Sequence, residues 1–141
     1  MTILNKSVIS LIVLLSGCTL SDNLEQRYTK ETLVPAHVRN SDVCFSLPIQ
    51  SNETVVSAIT YNIENPLEQV IFPSDKQPKS GLFCILPGEF KFKTGQEYLT
   101  QIEVNIRTDG EDKKNARKAY ISTFKVVLKG DSFNIIQTVH K

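Results

Sequence analysis

The sequence is short of the features that usually point to a function. It has no tryptophan, one methionine at position 1 and only two histidines among its 141 residues. The 16 basic residues stand against 15 acidic ones, so there is no charge excess that would favour nucleic acid or an anionic membrane surface as a partner. The apolar and charged fractions, 40% and 22%, are typical of a globular protein and argue against disorder.

Catalytic and metal-binding motifs are also missing. The chain contains no GxSxG, HExxH, P-loop or GxGxxG pattern. His140 is the penultimate residue, and His37 lies in a β-strand context, where a lone histidine is usually packed or hydrogen-bonded. We therefore expect no enzyme activity, no cofactor, no metal and no small-molecule substrate.

No apolar stretch is long enough to cross a bilayer, which takes about 20 residues. The most apolar stretch, residues 8–15, follows a short segment whose only charged side chain is Lys6, and it leads into Leu15-Ser16-Gly17-Cys18. This is typical of a bacterial signal peptide, and the last four residues match the lipobox, whose cysteine receives lipid. The sequence predicts removal of residues 1–17 and lipidation of Cys18. An ordinary secretory signal with a coincidental cysteine is the alternative.

Lipid on Cys18 implies a protein that is anchored to a membrane through that lipid alone. A single acyl chain binds weakly, at about 0.8 kcal/mol per buried methylene, whereas several chains hold stably. The residue after the cysteine is Thr19 rather than Asp, which favours the inner leaflet of the outer membrane, facing the periplasm. Residues 18–32 are polar, and we predict the lipidated cysteine and a tether there, with a short helix packed on the domain as the alternative.

Cys44 and Cys84 remain, an even number in the oxidising compartment that the signal peptide implies. We predict a disulfide between them, which would close a loop of about 40 residues and stabilise the fold by about 3–4 kcal/mol. A metal site is the rival interpretation, but two distant cysteines without a CxxC or HxxxH partner are a poor ligand set.

Residues 33–141 alternate apolar and polar side chains, as half-buried β-strands do. The stretch from Tyr98 to Ile106 shows this most clearly, and no stretch has a helical period. Pro66 and Pro73 bound a short strand that we place at a sheet edge, because proline cannot donate to a sheet ladder. The predicted strands cover residues 33–39, 42–47, 54–63, 67–72, 82–86, 98–107, 120–128 and 132–139. This pattern predicts an all-β domain, an immunoglobulin-like β-sandwich of about seven to eight antiparallel strands with one disulfide.

Two local features leave alternatives open. The apolar residues of the strand at 42–47 share one face and Cys44 lies on the other, so either face could meet the main core, unless a bulge resets the alternation. A charged segment follows the turn signal Asp109-Gly110, and we interpret it as a solvated hairpin tip or as part of a binding surface. Its charged residues are Glu111, Asp112, Lys113, Lys114, Arg117 and Lys118.

Several short motifs follow one another along the chain. They are the lipobox ending at Cys18, Pro35-Ala36-His37-Val38, Val43-Cys44-Phe45-Ser46, Cys84 followed by Pro87-Gly88, Phe92-Lys93-Thr94-Gly95 before Tyr98, and a late strand around Tyr120 and Phe124. In this order the chain resembles small enterobacterial-type periplasmic lipoproteins described as immunity proteins of the type VI secretion system. The resemblance implies a periplasmic β-domain that binds a toxin from a neighbouring cell and blocks it, so the expected partner is a protein. The resemblance supplies no binding residues.

By residue type alone, Tyr61, Phe72, Tyr98 and Arg107 are candidate anchors of a protein interface, although core packing or ordinary surface suits most of them. Two other functions fit the sequence. One is an envelope assembly or structural lipoprotein that binds a resident protein complex. The other is an inhibitor of a host lysozyme or protease. None of the three functions needs a motif that is visible in one chain.

Overall fold

The computed structural model describes residues 31–107 and 116–138. The predicted signal peptide at 1–17, the predicted lipidation site Cys18 and most of the predicted tether lie outside these residues. The described part contains no α-helix, and hence no helix that is long and apolar enough to cross a membrane.

In the described residues, nine β-strands form two sheets. The strands are β1 Glu31–Leu33, β2 Ala36–Arg39, β3 Asp42–Ser46, β4 Glu53–Asn62, β5 Gln69–Ile71, β6 Leu82–Ile85, β7 Glu97–Ile106, β8 Ala116–Lys129 and β9 Ser132–Thr138. The larger sheet has the order β1-β8-β7-β4-β5, with β9 also paired to β8, and the smaller sheet has the order β2-β3-β6. The all-β sandwich with one disulfide is confirmed. The strands number nine, however, and β1 pairs with β8 in parallel whereas the other pairs are antiparallel.

Pro35 divides the first predicted strand, residues 33–39, between the two sheets. β1 runs along β8, and the N–H of Val34 extends this pairing by donating to the carbonyl of Ile121 at 2.9 Å. Pro35 has no N–H to donate, so the chain leaves the larger sheet there and continues as β2 in the smaller one. Because β1 begins at Glu31, the last two residues that the sequence assigns to the tether lie in the sheet.

The core fills the space between the sheets with the inward-facing residues of both. β7 alternates half-buried and buried residues along most of its length, as its sequence predicts. Phe45 of the smaller sheet and Phe124 of the larger one are fully buried, and their ring centroids lie 5.8 Å apart. Burying a side chain of this size contributes about 1.5–3 kcal/mol. The core also includes Val43, Leu47, Val55, Ala58, Phe72, Phe83, Ile85, Tyr98, Ile102, Val104, Tyr120 and Val126.

Cys44 and Cys84 form the predicted disulfide. They lie directly opposite each other on β3 and β6, with Cα atoms 4.0 Å apart. Val43 and Phe45 belong to the core, so the disulfide lies on the side of the smaller sheet that faces away from the larger sheet. There it is next to His37, the β2 residue opposite Cys44. The apolar face of β3 therefore packs against the larger sheet, and this resolves the alternation that the sequence left open.

The charged segment predicted as a hairpin tip is partly strand. Arg117 and Lys118 lie in β8, while residues 111–114 lie outside the described residues. Lys118 forms an ion pair with Glu53 of β4, whose side chain is only 3% exposed. The Lys118 ammonium also lies 5.1 Å from the centroid of the Tyr120 ring. The interpretation as a solvated tip is thus wrong for Lys118, whose stem packs at the end of the core.

Candidate binding surfaces

The four candidate anchors chosen by residue type lie in different environments. Phe72 and Tyr98 are buried in the core, so neither is available to a partner. Arg107 is exposed just after β7, and its backbone N–H and C=O are both hydrogen-bonded to Asn52. Tyr61 is half-buried on the side of the larger sheet that faces away from the core. Only Tyr61 and Arg107 remain as possible contacts.

An apolar row crosses the larger sheet on the side away from the core. The register of the strands places Leu33, Ile121, Gln101, Ile59 and Ile71 side by side across β1, β8, β7, β4 and β5. Leu33 and Ile71, at the two ends, are 66% and 68% exposed. With a strand spacing of about 4.8 Å, the row is about 19 Å long. Four of its five side chains are aliphatic, and the polar Gln101 of β7 lies at the centre of the row.

The neighbouring rows extend this surface and give it a charged border. Two residues further along the strands, Tyr61, Leu99 and Thr123 are cross-strand neighbours. On the other side of the apolar row, Glu103 of β7 pairs with Arg117 of β8 at 3.7 Å. An apolar centre with a charged border is common in protein interfaces. The surface is called the outer face below, and its apolar members are Leu33, Ile59, Tyr61, Ile71, Leu99 and Ile121.

The edge of β4 next to the outer face is closed to strand pairing. Beyond β5, the N–H of Phe72 donates to the carbonyl of Ala58 at 2.9 Å. Further along, the side-chain amide of Gln77 accepts from the N–H of Val55 at 3.0 Å and donates to the carbonyl of Val55 at 2.8 Å. Gln77 thus makes both bonds that an added strand would make, at the point where a bulge interrupts β4. This edge is therefore not open to an added strand at Val55.

A cavity of about 400 Å³ opens between the two sheets. Its walls come from all three strands of the smaller sheet, from β8 and β9, and from the connection between β6 and β7. Ten of the 11 lining residues are uncharged, and the charged one is Lys91. This cavity is called the inter-sheet pocket, and it is lined by Val38, Ser41, Val43, Ile85, Pro87, Phe90, Lys91, Phe92, Val126, Phe133 and Ile135.

Phe90 and Phe92 form an aromatic wall of the inter-sheet pocket. Their ring centroids lie 4.9 Å apart, and Phe92 packs edge-on against Tyr98 at 4.8 Å. The hydroxyl of Tyr98 accepts a hydrogen bond from the N–H of Lys93 at 2.7 Å, which fixes the backbone just after Phe92. Burial raises the pKa of Tyr98, and this hydrogen bond only partly opposes the effect. The phenol therefore stays protonated and neutral under physiological conditions.

An ion pair also stabilises the connection between β6 and β7 on its solvent-exposed side. The ammonium of Lys93 donates to the carboxylate of Glu68, which also accepts from Asn62 at 3.2 Å. The hydrogen bond from Lys93 lowers the pKa of Glu68, and Glu68 in turn raises the pKa of Lys93, so both stay charged at neutral pH. Lys91, two residues earlier, is exposed and belongs to none of the ion pairs found in the described residues.

A known protein family matches most of the chain. The family is described as a domain of unknown function, DUF7480, and the match covers residues 30–129. The chain belongs to the DUF7480 family. The DUF7480 match contains β1 to β8, whereas β9 lies beyond it. No curated protein and no solved structure matches the chain.

The description of the DUF7480 family assigns no activity, so the candidate surfaces rest on their geometry. In residues 31–107 and 116–138, no group of three or more His, Cys, Asp or Glu side chains is placed to hold a metal ion. The two surfaces of the described residues with distinctive geometry are the outer face and the inter-sheet pocket.

Neither surface could be located from the sequence. The outer face draws its residues from five strands, and their neighbours are known only once the strand order is known. The inter-sheet pocket draws on segments from Val38 to Ile135, about 100 residues apart. The one local signal is the spacing of Phe90 and Phe92 two positions apart, which suggests two aromatic side chains on one side of the backbone.

Proposed function

We propose that this DUF7480 protein is a lipid-anchored periplasmic protein that binds a toxin delivered by type VI secretion and neutralises it. Three observations support the proposal: the lipobox ending at Cys18, the resemblance of the motif order to immunity lipoproteins, and the outer face. The first two are properties of the sequence and favour the location and the type of partner. The outer face is the observation that carries the binding role.

The outer face leaves large aliphatic side chains in water. Full burial of a leucine or isoleucine contributes about 1.5–3 kcal/mol. Leu33 and Ile71 are each about two-thirds exposed, so a partner that covers both would gain about 2–4 kcal/mol from these two residues. Exposed apolar surface on one face of a small domain is a candidate site of protein interaction.

Occlusion is a sufficient mechanism for neutralisation. A standard interface covers about 800 Å² on each partner. Five strands side by side span about 24 Å and the ten residues of β7 span about 34 Å, while β1 and β5 have three residues each, so the outer face supplies the centre of an interface of this size. Lipid on Cys18 would hold the domain where the toxin arrives and raise its effective concentration there. The toxin is blocked simply because its own working surface is covered.

A rescue assay tests the proposal. The open reading frame next to this gene is expressed with a periplasmic signal, with and without this protein. We expect the neighbour to stop growth on its own and this protein to restore it. If the neighbour is harmless, or kills in both cases, the proposal fails. The envelope assembly function then becomes the one to test, by cross-linking to resident complexes.

Two outer-face variants locate the binding surface. Leu33→Arg and Ile71→Arg place a charge in the apolar row, and each should weaken toxin binding at least tenfold, as loss of an interface hot spot does. Leu86→Arg is the matched control, because Leu86 is also exposed but follows β6 on the smaller sheet. All three positions are at the surface, so stability should change by no more than about 0.5 kcal/mol. Wild-type binding by both outer-face variants would remove this face from the proposal.

The anchor is tested separately. Cys18→Ala should abolish labelling with radioactive or alkyne-tagged fatty acid and release the domain into the soluble periplasmic fraction. Persistent labelling would refute lipidation at Cys18. Toxin binding by the purified Cys18→Ala chain should be unchanged, because the lipid supplies location and not contact.

A further inference from the structure

The inter-sheet pocket penetrates the core, whereas the outer face is a surface. Its lining includes three core residues, Val43, Ile85 and Val126, and the last two are only 1% and 2% exposed. Ser41 and Lys91 are the lining residues with polar side chains, and both are exposed. The interior is therefore apolar and its polar groups are at the mouth, so a ligand that fits has one polar end.

The volume of the pocket sets the size of that ligand. Binding pockets for small molecules occupy about 300–1,000 Å³, and this one has about 400 Å³. A dry apolar cavity of about 150 Å³ accommodates benzene, with six carbons. Scaled by volume, the inter-sheet pocket accommodates at most about sixteen carbons. One medium-length acyl chain has this size, while a single amino-acid side chain would leave much of the space empty.

The charge at the mouth sets the chemistry of the polar end. Lys91 is the one charged lining residue, no acidic side chain lines the pocket, and within the described residues no ion pair engages Lys91. A cation at the entrance of an apolar cavity attracts an anionic group and disfavours a cationic one. We propose that the inter-sheet pocket binds one unbranched fatty acid, with the acyl chain between the sheets and the carboxylate at Lys91.

This site is independent of the proposed toxin binding, because the outer face and the pocket share no residue. Phe133 and Ile135 of β9 line the pocket. The alternate residues of β9, Asn134 and Ile136, have their side chains on the opposite face of the strand. The alternation on β9 provides matched variants that differ only in the face they alter.

Calorimetric titration with fatty acids of increasing length tests the proposal. The mature chain carrying Cys18→Ala is used, because it contains every described residue and needs no detergent. Octanoate, decanoate and dodecanoate should bind at one site per chain, with affinity rising about fourfold per added methylene, as expected when each methylene is buried. Absence of dodecanoate binding up to about 1 mM, or an affinity that does not depend on chain length, would overturn the proposal.

Two pairs of variants test where the acyl chain and the carboxylate of the ligand bind. Ile135→Trp fills the pocket and should abolish dodecanoate binding, whereas Ile136→Trp, on the opposite face of β9, should leave it unchanged. Lys91→Ala should weaken dodecanoate binding about two- to fivefold, as loss of an exposed ion pair does, and should leave binding of uncharged dodecanol unchanged. Lys125→Ala, on the outer side of β8, is the control for general charge. Equal binding by Ile135→Trp and wild type, or an equal effect of Lys91→Ala on dodecanoate and dodecanol, would refute the placement.

Discussion

The ion pair between Glu53 and Lys118 predicts a large loss of stability in one variant. Lys118 lies beside Glu53 at the end of the core; their side chains are 22% and 3% exposed. Glu53 also accepts a hydrogen bond from the N–H of Gln50 at 3.2 Å. In Lys118→Met the apolar stem is kept and the charge is lost, so the Glu53 carboxylate stays buried without its counterion.

The size of this loss follows from the burial of the pair. Removing one partner of a buried ion pair costs about 3–5 kcal/mol, and because Lys118 is partly exposed we expect the lower end of this range. Lys118→Met should therefore be destabilised by about 3 kcal/mol at pH 7.

Urea denaturation at pH 7 measures this loss. The double variant Glu53→Gln with Lys118→Met should lose much less than Lys118→Met at pH 7, and Lys129→Met, at the exposed end of β8, should change stability by no more than about 0.5 kcal/mol. In the wild type, burial lowers the pKa of Lys118, but its hydrogen bonds with Glu53 and Tyr120 outweigh this, and the pKa is raised above 10.5. The stabilisation by Lys118 is thus fully present below pH 10.5 and is lost as the pH rises through the folded-state pKa. A loss for Lys118→Met at pH 7 no larger than that for Lys129→Met would refute the reasoning.

Two further predictions concern the disulfide and the edge of β4. Replacing Cys44 and Cys84 by alanine, or reducing the wild type, should lower the free energy of unfolding by about 4 kcal/mol, since the bond spans 40 residues; a loss below about 1 kcal/mol in urea denaturation would contradict the chain-entropy account. Gln77→Ala should cost about 1–2 kcal/mol because both backbone groups of Val55 lose their partner, and light scattering should show more self-association through the opened edge. Gln50→Ala, at an exposed position, is the control, and an equal effect of the two substitutions would exclude the proposed role of Gln77.

The sequence predicts those parts of the fold that depend on near neighbours. The alternation from Tyr98 to Ile106 predicts a half-buried strand, and β7 covers residues 97–106. Pro66 and Pro73 predict an edge strand between them, and β5 pairs with β4 alone. In both cases the deciding physics is local: side chains alternate across a strand, and proline lacks a donor.

The sequence fails where the deciding contact is distant. The sequence predicts a single strand over residues 33–39 that contains Pro35. Only the pairing of Leu33 with Ile121 shows that the chain passes from one sheet to the other at Pro35. Lys118 looks like part of a charged loop until Glu53, 65 positions earlier in the sequence, is placed beside it. A charged side chain in a polar segment is normally solvated, and the sequence predicts this for Lys118. In the fold Lys118 is partly buried instead, because it pairs with the buried carboxylate of Glu53 on another strand.

The same distinction separates the proposed anchor from the proposed binding surfaces. A signal peptidase recognises an extended segment of chain, so every residue it needs lies between Leu15 and Cys18 and can be found without a fold. A protein partner recognises a folded surface, and Leu33 and Ile71 come within reach of one partner only because β1 and β5 are the outer strands of the same sheet. Their exposure is the property that matters for binding, yet each stands in a stretch of sequence that a buried strand would also allow. The location of this protein is therefore the easier inference from the sequence, and its partner has to be sought on the folded surface.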